Sequence, residues 1–110
     1  PIFSGLPTDR FLYLGFLPRR GAERRRVLQN VANEPGTLVI LVTPHRLLAV
    51  LADLQAVFGT SRQLAIGREL TKMHEETWRG DIAAAVAHFQ EAPKGEMVLL
   101  VAGNPAPENR

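Results

Sequence analysis

Six consecutive residues, Thr37-Leu38-Val39-Ile40-Leu41-Val42, are apolar or β-branched without any polar alternation. Pro35-Gly36 precedes them and Thr43-Pro44 follows. The run is too short for an ordinary helix, and its side chains favour extended backbone. It predicts a strand buried on both faces. Such a strand needs neighbours at its sides and cover above and below, so the chain is predicted to build a layered sheet. The next residues fit. Thr43 is a suitable N-cap and Pro44 a suitable first helical residue. Leu47, Leu51, Leu54 and Phe58 then step by four, three and four along a core-facing stripe, and Gly59 closes the helix.

The rest of the chain arranges itself around this unit. "RFLYLGFLP" is a strand candidate stopped by Pro18. A helix is predicted between Arg19 and Gly36, with Val27, Leu28 and Val31 on one face and the arginines on the other. "QLAIGREL" reads as a third strand and "EETWR" as a short fourth, expected to form an antiparallel pair. Asp81 caps a helix with Ile82, Val86 and Phe89 inward, and "KGEMVLLVAG" is the last strand. The expected fold class is α/β, with a mixed parallel/antiparallel sheet of about five strands and about three helices. Residues 1–103 make one domain, and 104–110 read as a linker or tail.

Apolar runs such as "LVILV" and "MVLLVA" are too short to span a membrane as helices. Cysteine is absent, which excludes disulfides, thiol catalysis and cysteine-ligated metals. Charge is uneven: residues 1–30 hold six arginines against Asp9 and Glu23. Arginine forks match phosphate oxygens in pairs, so this arm is a candidate nucleic-acid face as well as an ordinary solvated one.

"RELTKMHEETWRG", residues 68–80, is the densest cluster of ionisable groups. "HEETW" begins like a zinc-binding H-E-x-x-H, but Trp78 stands at the fifth position. His45, His74 and His88 have no ligand spacing, so no metal site is expected. Glu75 and Glu76 are adjacent, and on a strand they point to opposite faces, which excludes a joint acid/base role. Ser4 and Ser61 lack a nucleophile-elbow context. Trp78 and Tyr13 offer stacking surfaces, although lone strand aromatics usually belong to a core. These tests assign no catalytic residue.

The order of "GLPTDRFLYLGFLPRR", "EPGTLVILVTPHRLLAVLADL", "RELTKMHEETWRGDI" and "KGEMVLLVAG" resembles the second half of the ribosomal RNA small subunit methyltransferase I family. That family is a branch of the tetrapyrrole methylase-like superfamily. The resemblance runs from about Gly5 to Gly103. It implies the second, C-terminal domain of a two-domain enzyme, with S-adenosylmethionine in the cleft between domains. It also implies methyl transfer to a cytidine ribose 2′-hydroxyl of small-subunit (16S) rRNA, with the 30S particle as partner. The family's N-terminal elements are not in this sequence, so the N-terminal domain is expected as a partner in cis and the fragment is expected to be inactive by itself. A homodimer and a cytoplasmic location are also expected.

By the same resemblance, Leu70 and Thr71 lie beside the cofactor's nucleoside, Val42 and Thr43 supply a second wall, and Gly95 and Glu96 a third. Arg19, Arg20 and Arg46 are the expected RNA contacts. One departure stands out: the family commonly carries Tyr-Glu where this chain has Leu41-Val42. Two rival readings are a tetrapyrrole-precursor methylase domain and a non-catalytic module that binds RNA or dimerises.

Overall fold

A computed structural model describes residues 10–71, 74–91 and 93–104. The elements are β1 (Phe11–Phe16), α1 (Gly21–Asn30), β2 (Thr37–Val42), α2 (Pro44–Phe58), β3 (Gln63–Thr71), β4 (His74–Asp81), α3 (Ile82–His88) and β5 (Met97–Val101). The strands form one sheet in the order β1-β2-β5-β3-β4. β1 and β2 are parallel and are joined by the α1 crossover, while the other neighbours are antiparallel. The mixed α/β sheet is therefore as the sequence predicts. β4 is longer than expected because its ladder with β3 continues to Thr71↔His74, close to the hairpin connection.

Strand alternation sends one side-chain set from each inner strand to a common core. Leu38, Ile40 and Val42 of β2 join Leu64 and Ile66 of β3 and Met97, Leu99 and Val101 of β5. Leu28 of α1, Leu47, Leu51 and Leu54 of α2, and Ile82 and Ala85 of α3 close over them. Each fully buried leucine contributes about 1.5–3 kcal/mol of transfer free energy. All three helices thus lie on one face. The expectation that β2 is buried on both faces holds for the helix side only: Val39 and Leu41, on the other side, are half-buried. Their cover is lateral, from cross-strand neighbours such as Leu100, and no described helix lies over them.

The expectation that the α1 arginines face away from the core fails at Arg24, which is 6% exposed. Its Nε donates to Asp53 Oδ2 of α2 at 2.5 Å. Arg24 stands four residues before Leu28, so the helical repeat places both on the inward face. Thr43 occupies the N-cap position of α2, but its side chain makes no capping bond. Asp81 does cap α3, accepting from the Ala84 N–H at 2.7 Å.

Two glycines occupy positions that a side chain would strain. Gly15, at φ +67°, sits where the β1–β2 register shifts between Tyr13 and Gly15, a bulge. Gly103 lies flat against the turn before β2, where a Cβ would stand 2.0 Å from the Pro35 carbonyl oxygen. Asn104 continues that clasp by donating its N–H to the Glu34 carbonyl at 2.9 Å. At the same end of the sheet, Arg62 donates to the Ala102 and Ala32 carbonyls and covers the Phe58 ring at 4.8 Å. Burial holds its guanidinium below the ordinary arginine value.

Candidate functional site

The opposite end of the sheet gathers the residues the sequence singles out. Register runs from Val42 to Met97, from Met97 to Arg68, and from Arg68 to Glu76. The ends of β2 and β3 and the beginnings of β4 and β5 therefore share one edge. β1 ends beside it through Phe16↔Leu41. Parallel pairing also brings the starts of α1 and α2 to this edge. Thr43 directly follows β2, Gly95 and Glu96 directly precede β5, and Leu70 and Thr71 close β3.

The individual side chains differ in what they offer. Val42 is 1% exposed and belongs to the core, so it can present backbone only. Thr43 is half-buried, and its hydroxyl is not used in capping. Gly95 has φ +88°, which lets the chain turn sharply into β5, and the Glu96 carboxylate is exposed. Leu70 and Thr71 have their backbone in β3, but their side chains lie outside the described residues, as do those of His74 and Glu75. Arg19 and Arg20 are exposed in the turn between β1 and α1. Arg46, in the first turn of α2, lines a small recess with Phe16, Pro18, Thr43 and Val50.

A larger recess, about 420 Å³, opens nearby on the helix side, lined by Ile66, Arg68, Glu76, Trp78, His88 and Pro93. Trp78 and His88 stack with ring centroids 5.4 Å apart, and Phe89 meets Trp78 edge-on at 5.7 Å. Trp78 is thus partly core, whereas Tyr13 is 66% exposed on the helix-free face. Arg68 is committed: Nη2 and Nε reach Glu76 Oε1 at 2.8 and 3.0 Å, and Nη1 donates to the Lys94 carbonyl at 2.8 Å. That last bond fixes the turn that carries Gly95 and Glu96. Glu76 accordingly reads as a partner for Arg68, not as a free carboxylate. Among the described residues, no three His, Asp or Glu side chains converge as a metal-binding group.

Sequence reasoning missed two features of this end. Arg68 was visible only as a charge, although its strand phase with Leu64 and Ile66 places it on the helix side. The Arg24–Asp53 pair was also legible: Asp53 lies between Leu51 and Leu54 on the stripe of α2, where a carboxylate needs a partner.

No family model matches the chain. Individual proteins do. The Synechocystis sp. protein named ribosomal RNA small subunit methyltransferase I is 49% identical over 110 residues, covering 99% of this chain and 39% of that protein. The Pseudomonas aeruginosa protein of the same name is 46% identical, covering 96% and 38%. The Thermotoga maritima one is 40% identical, covering 91% and 45%. Among solved structures, the methyltransferase CobJ superposes with TM-score 0.61 at 15% identity, over 88% of this chain and 44% of that one. Uroporphyrin III C-methyl transferase from Thermus thermophilus gives 0.57 at 19%, over 89% and 43%. At those identities the structural likeness shows the fold alone. The chain spans about two fifths of the length of the curated relatives it matches. By sequence it is a relative of the ribosomal RNA small subunit methyltransferase I proteins, and its fold is that of the tetrapyrrole methyltransferases.

Proposed function

We propose that this chain is the cofactor-cleft and RNA-facing domain of an S-adenosylmethionine-dependent methyltransferase acting on small-subunit rRNA. The methyl acceptor in this reading is a cytidine ribose 2′-hydroxyl within the 30S particle. The observation that carries the proposal is the convergence of Thr43, the Leu70-Thr71 backbone, Gly95 and Glu96 on one sheet edge, in a chain 49% identical to a protein of that name. The setting suits a nucleoside: strand-end backbone beside buried apolar side chains such as Val42, with few polar anchors. The exposed Glu96 carboxylate suits the positive charge of a sulfonium. When bound, the cofactor supplies an electrophilic methyl group. The work of this chain is to orient that group and the RNA, a positioning role that supplies much of the acceleration in such transfers.

In this reading the chain is the second of two domains. The first domain, in cis, closes the cleft, and the enzyme works in the cytoplasm as a homodimer. Arg19, Arg20 and Arg46 sit beside the same edge and are assigned to phosphate contacts. The tetrapyrrole reading is disfavoured because those relatives share 15–19% identity, against 40–49% for the rRNA-methyltransferase relatives. The non-catalytic reading draws on Leu41-Val42: Val42 is committed to the core and offers no polar contact.

The decisive experiment uses the full-length protein, labelled S-adenosylmethionine and 30S particles lacking the mark. Label in a cytidine 2′-O-methyl group is expected. No incorporation would leave the non-catalytic reading ahead. For residues 1–110 by themselves, calorimetry is expected to show negligible cofactor affinity, and tight binding would refute a cleft shared between domains.

A further inference from the structure

We infer that Arg24 and Asp53 are positioning residues that hold the turn carrying Arg19 and Arg20, and thereby aim those two guanidinium groups at the RNA backbone. This rests on the RNA-facing reading above.

The turn between β1 and α1 is four residues long, 17–20, and Arg24 is wired into it. Its Nη1 donates to the Arg19 carbonyl at 2.9 Å and to the Pro18 carbonyl at 3.3 Å. Its backbone N–H donates to the Arg20 carbonyl at 2.9 Å. The same side chain is anchored from below by Asp53 of α2, whose side chain is 9% exposed. The second Asp53 oxygen takes Arg25 Nη1 at 3.3 Å. One guanidinium therefore ties two successive turn carbonyls to the second helix.

Helix packing alone does not require this arrangement. A buried ion pair is a weak source of stability, and well-packed apolar residues of similar volume often do as well or better. An apolar pair joining α1 to α2 would lose the bonds to the turn carbonyls, along with the half-exposed Arg25 contact to Asp53. Those bonds lie directly under Arg19 and Arg20, which are exposed and, among the described residues, have no acidic partner. A guanidinium fork recognises phosphate through two parallel bonds, so its value depends on direction. A turn fixed at its carbonyls supplies that direction before RNA arrives.

The test compares three variants of the full-length protein on a labelled small-subunit rRNA fragment across a salt series. Arg19→Ala/Arg20→Ala removes the contacts themselves. Arg24→Met/Asp53→Leu keeps the helix contact apolar and removes the turn bonds. Arg24→Lys retains a charge for Asp53 but not a fork that reaches Asp53 through one nitrogen and the turn carbonyls through another. The first variant is expected to weaken binding roughly tenfold and to reduce the slope of log affinity against log salt by about 1.4–1.8, the value for two lost phosphate contacts. The second and third are expected to reproduce most of that loss of slope while melting within a few degrees of the parent. Combining the first two is expected to add nothing further, since both act on the same contacts.

A parental slope in both the second and third variants, with a reduced slope in the first, would overturn the positioning role and leave the RNA reading standing. A parental slope in the first variant would refute the RNA contacts, and the positioning role with them. If the Met/Leu variant does not fold, the Arg24→Lys variant decides the question.

Discussion

Replacing Gly103 by Ala tests whether the segment after β5 truly clasps the turn before β2. The Gly103 backbone is not in the left-handed region, so alanine meets no conformational penalty there. The cost is steric. The new Cβ would stand 2.0 Å from the Pro35 carbonyl oxygen, 2.4 Å from its carbon and 2.6 Å from the Gly36 oxygen. Ordinary contact begins at 3.4 Å, so the two segments must part by about 1.4 Å. Every obstructing atom is backbone, and no rotamer change relieves it. Overpacking of this kind costs about 1–3 kcal/mol. Parting also lengthens the 2.9 Å bond from the Asn104 N–H to the Glu34 carbonyl, worth about 1 kcal/mol. The expected loss is about 2–4 kcal/mol, a large share of the roughly 5–15 kcal/mol a domain commonly has. Urea unfolding followed by Trp78 fluorescence measures it. Gly59→Ala is the control, because Gly59 has φ +89° but open space around it. Its cost is conformational, about 1–2 kcal/mol. A Gly103→Ala loss below that of Gly59→Ala would refute the clasp.

Leu99→Ala, at the fully buried centre of the sheet, is expected to cost about 2–5 kcal/mol, read from the shift in urea midpoint at unchanged slope. Asp81→Ala removes the α3 cap and should cost about 1 kcal/mol, with faster hydrogen exchange at the Ala84 amide as its local signature. Arg68→Met should scarcely change global stability, since its partner Glu76 is 57% exposed and such pairs are worth about 0–1 kcal/mol. It should instead speed exchange at the Glu96 and Met97 amides, because the Lys94 carbonyl loses its tie. Unchanged exchange there would remove Arg68 as the support of that turn.

Much of the architecture was legible because hydrophobic period and turn chemistry agreed. The Leu47, Leu51, Leu54 stripe, the Asp81 cap and the antiparallel β3–β4 pair all follow from local pattern. The one-sided cover of β2 was not legible. A continuous apolar run reads the same whether a helix layer or lateral neighbours shield its second side. Arg24 departs from the expected outward face because helical phase outweighs charge: its spacing from Leu28 puts it inward. For the candidate site, family resemblance names Thr43, Gly95 and Glu96, but only strand register shows that they share an edge. The support from Arg68 to the Lys94 carbonyl crosses 26 positions, and no local signal encodes it.

The bulge at Gly15 makes the count of residues in β1 a matter of parity. With Leu14 as the extra residue, Gly15 pairs with Ile40 and Phe16 with Leu41, so Phe16 turns to the helix-free side at 55% exposure. A ladder without the bulge, with every residue kept, would pair Leu14 with Ile40 and Gly15 with Leu41. Phe16 would then fall opposite Val42 and swing into the core. The turn bearing Arg19 and Arg20 would be carried one step further along β2 and face the other way. One unpaired residue thus separates two phases of the same strand, and only one of them delivers those arginines to the edge where Thr43, Gly95 and Glu96 meet.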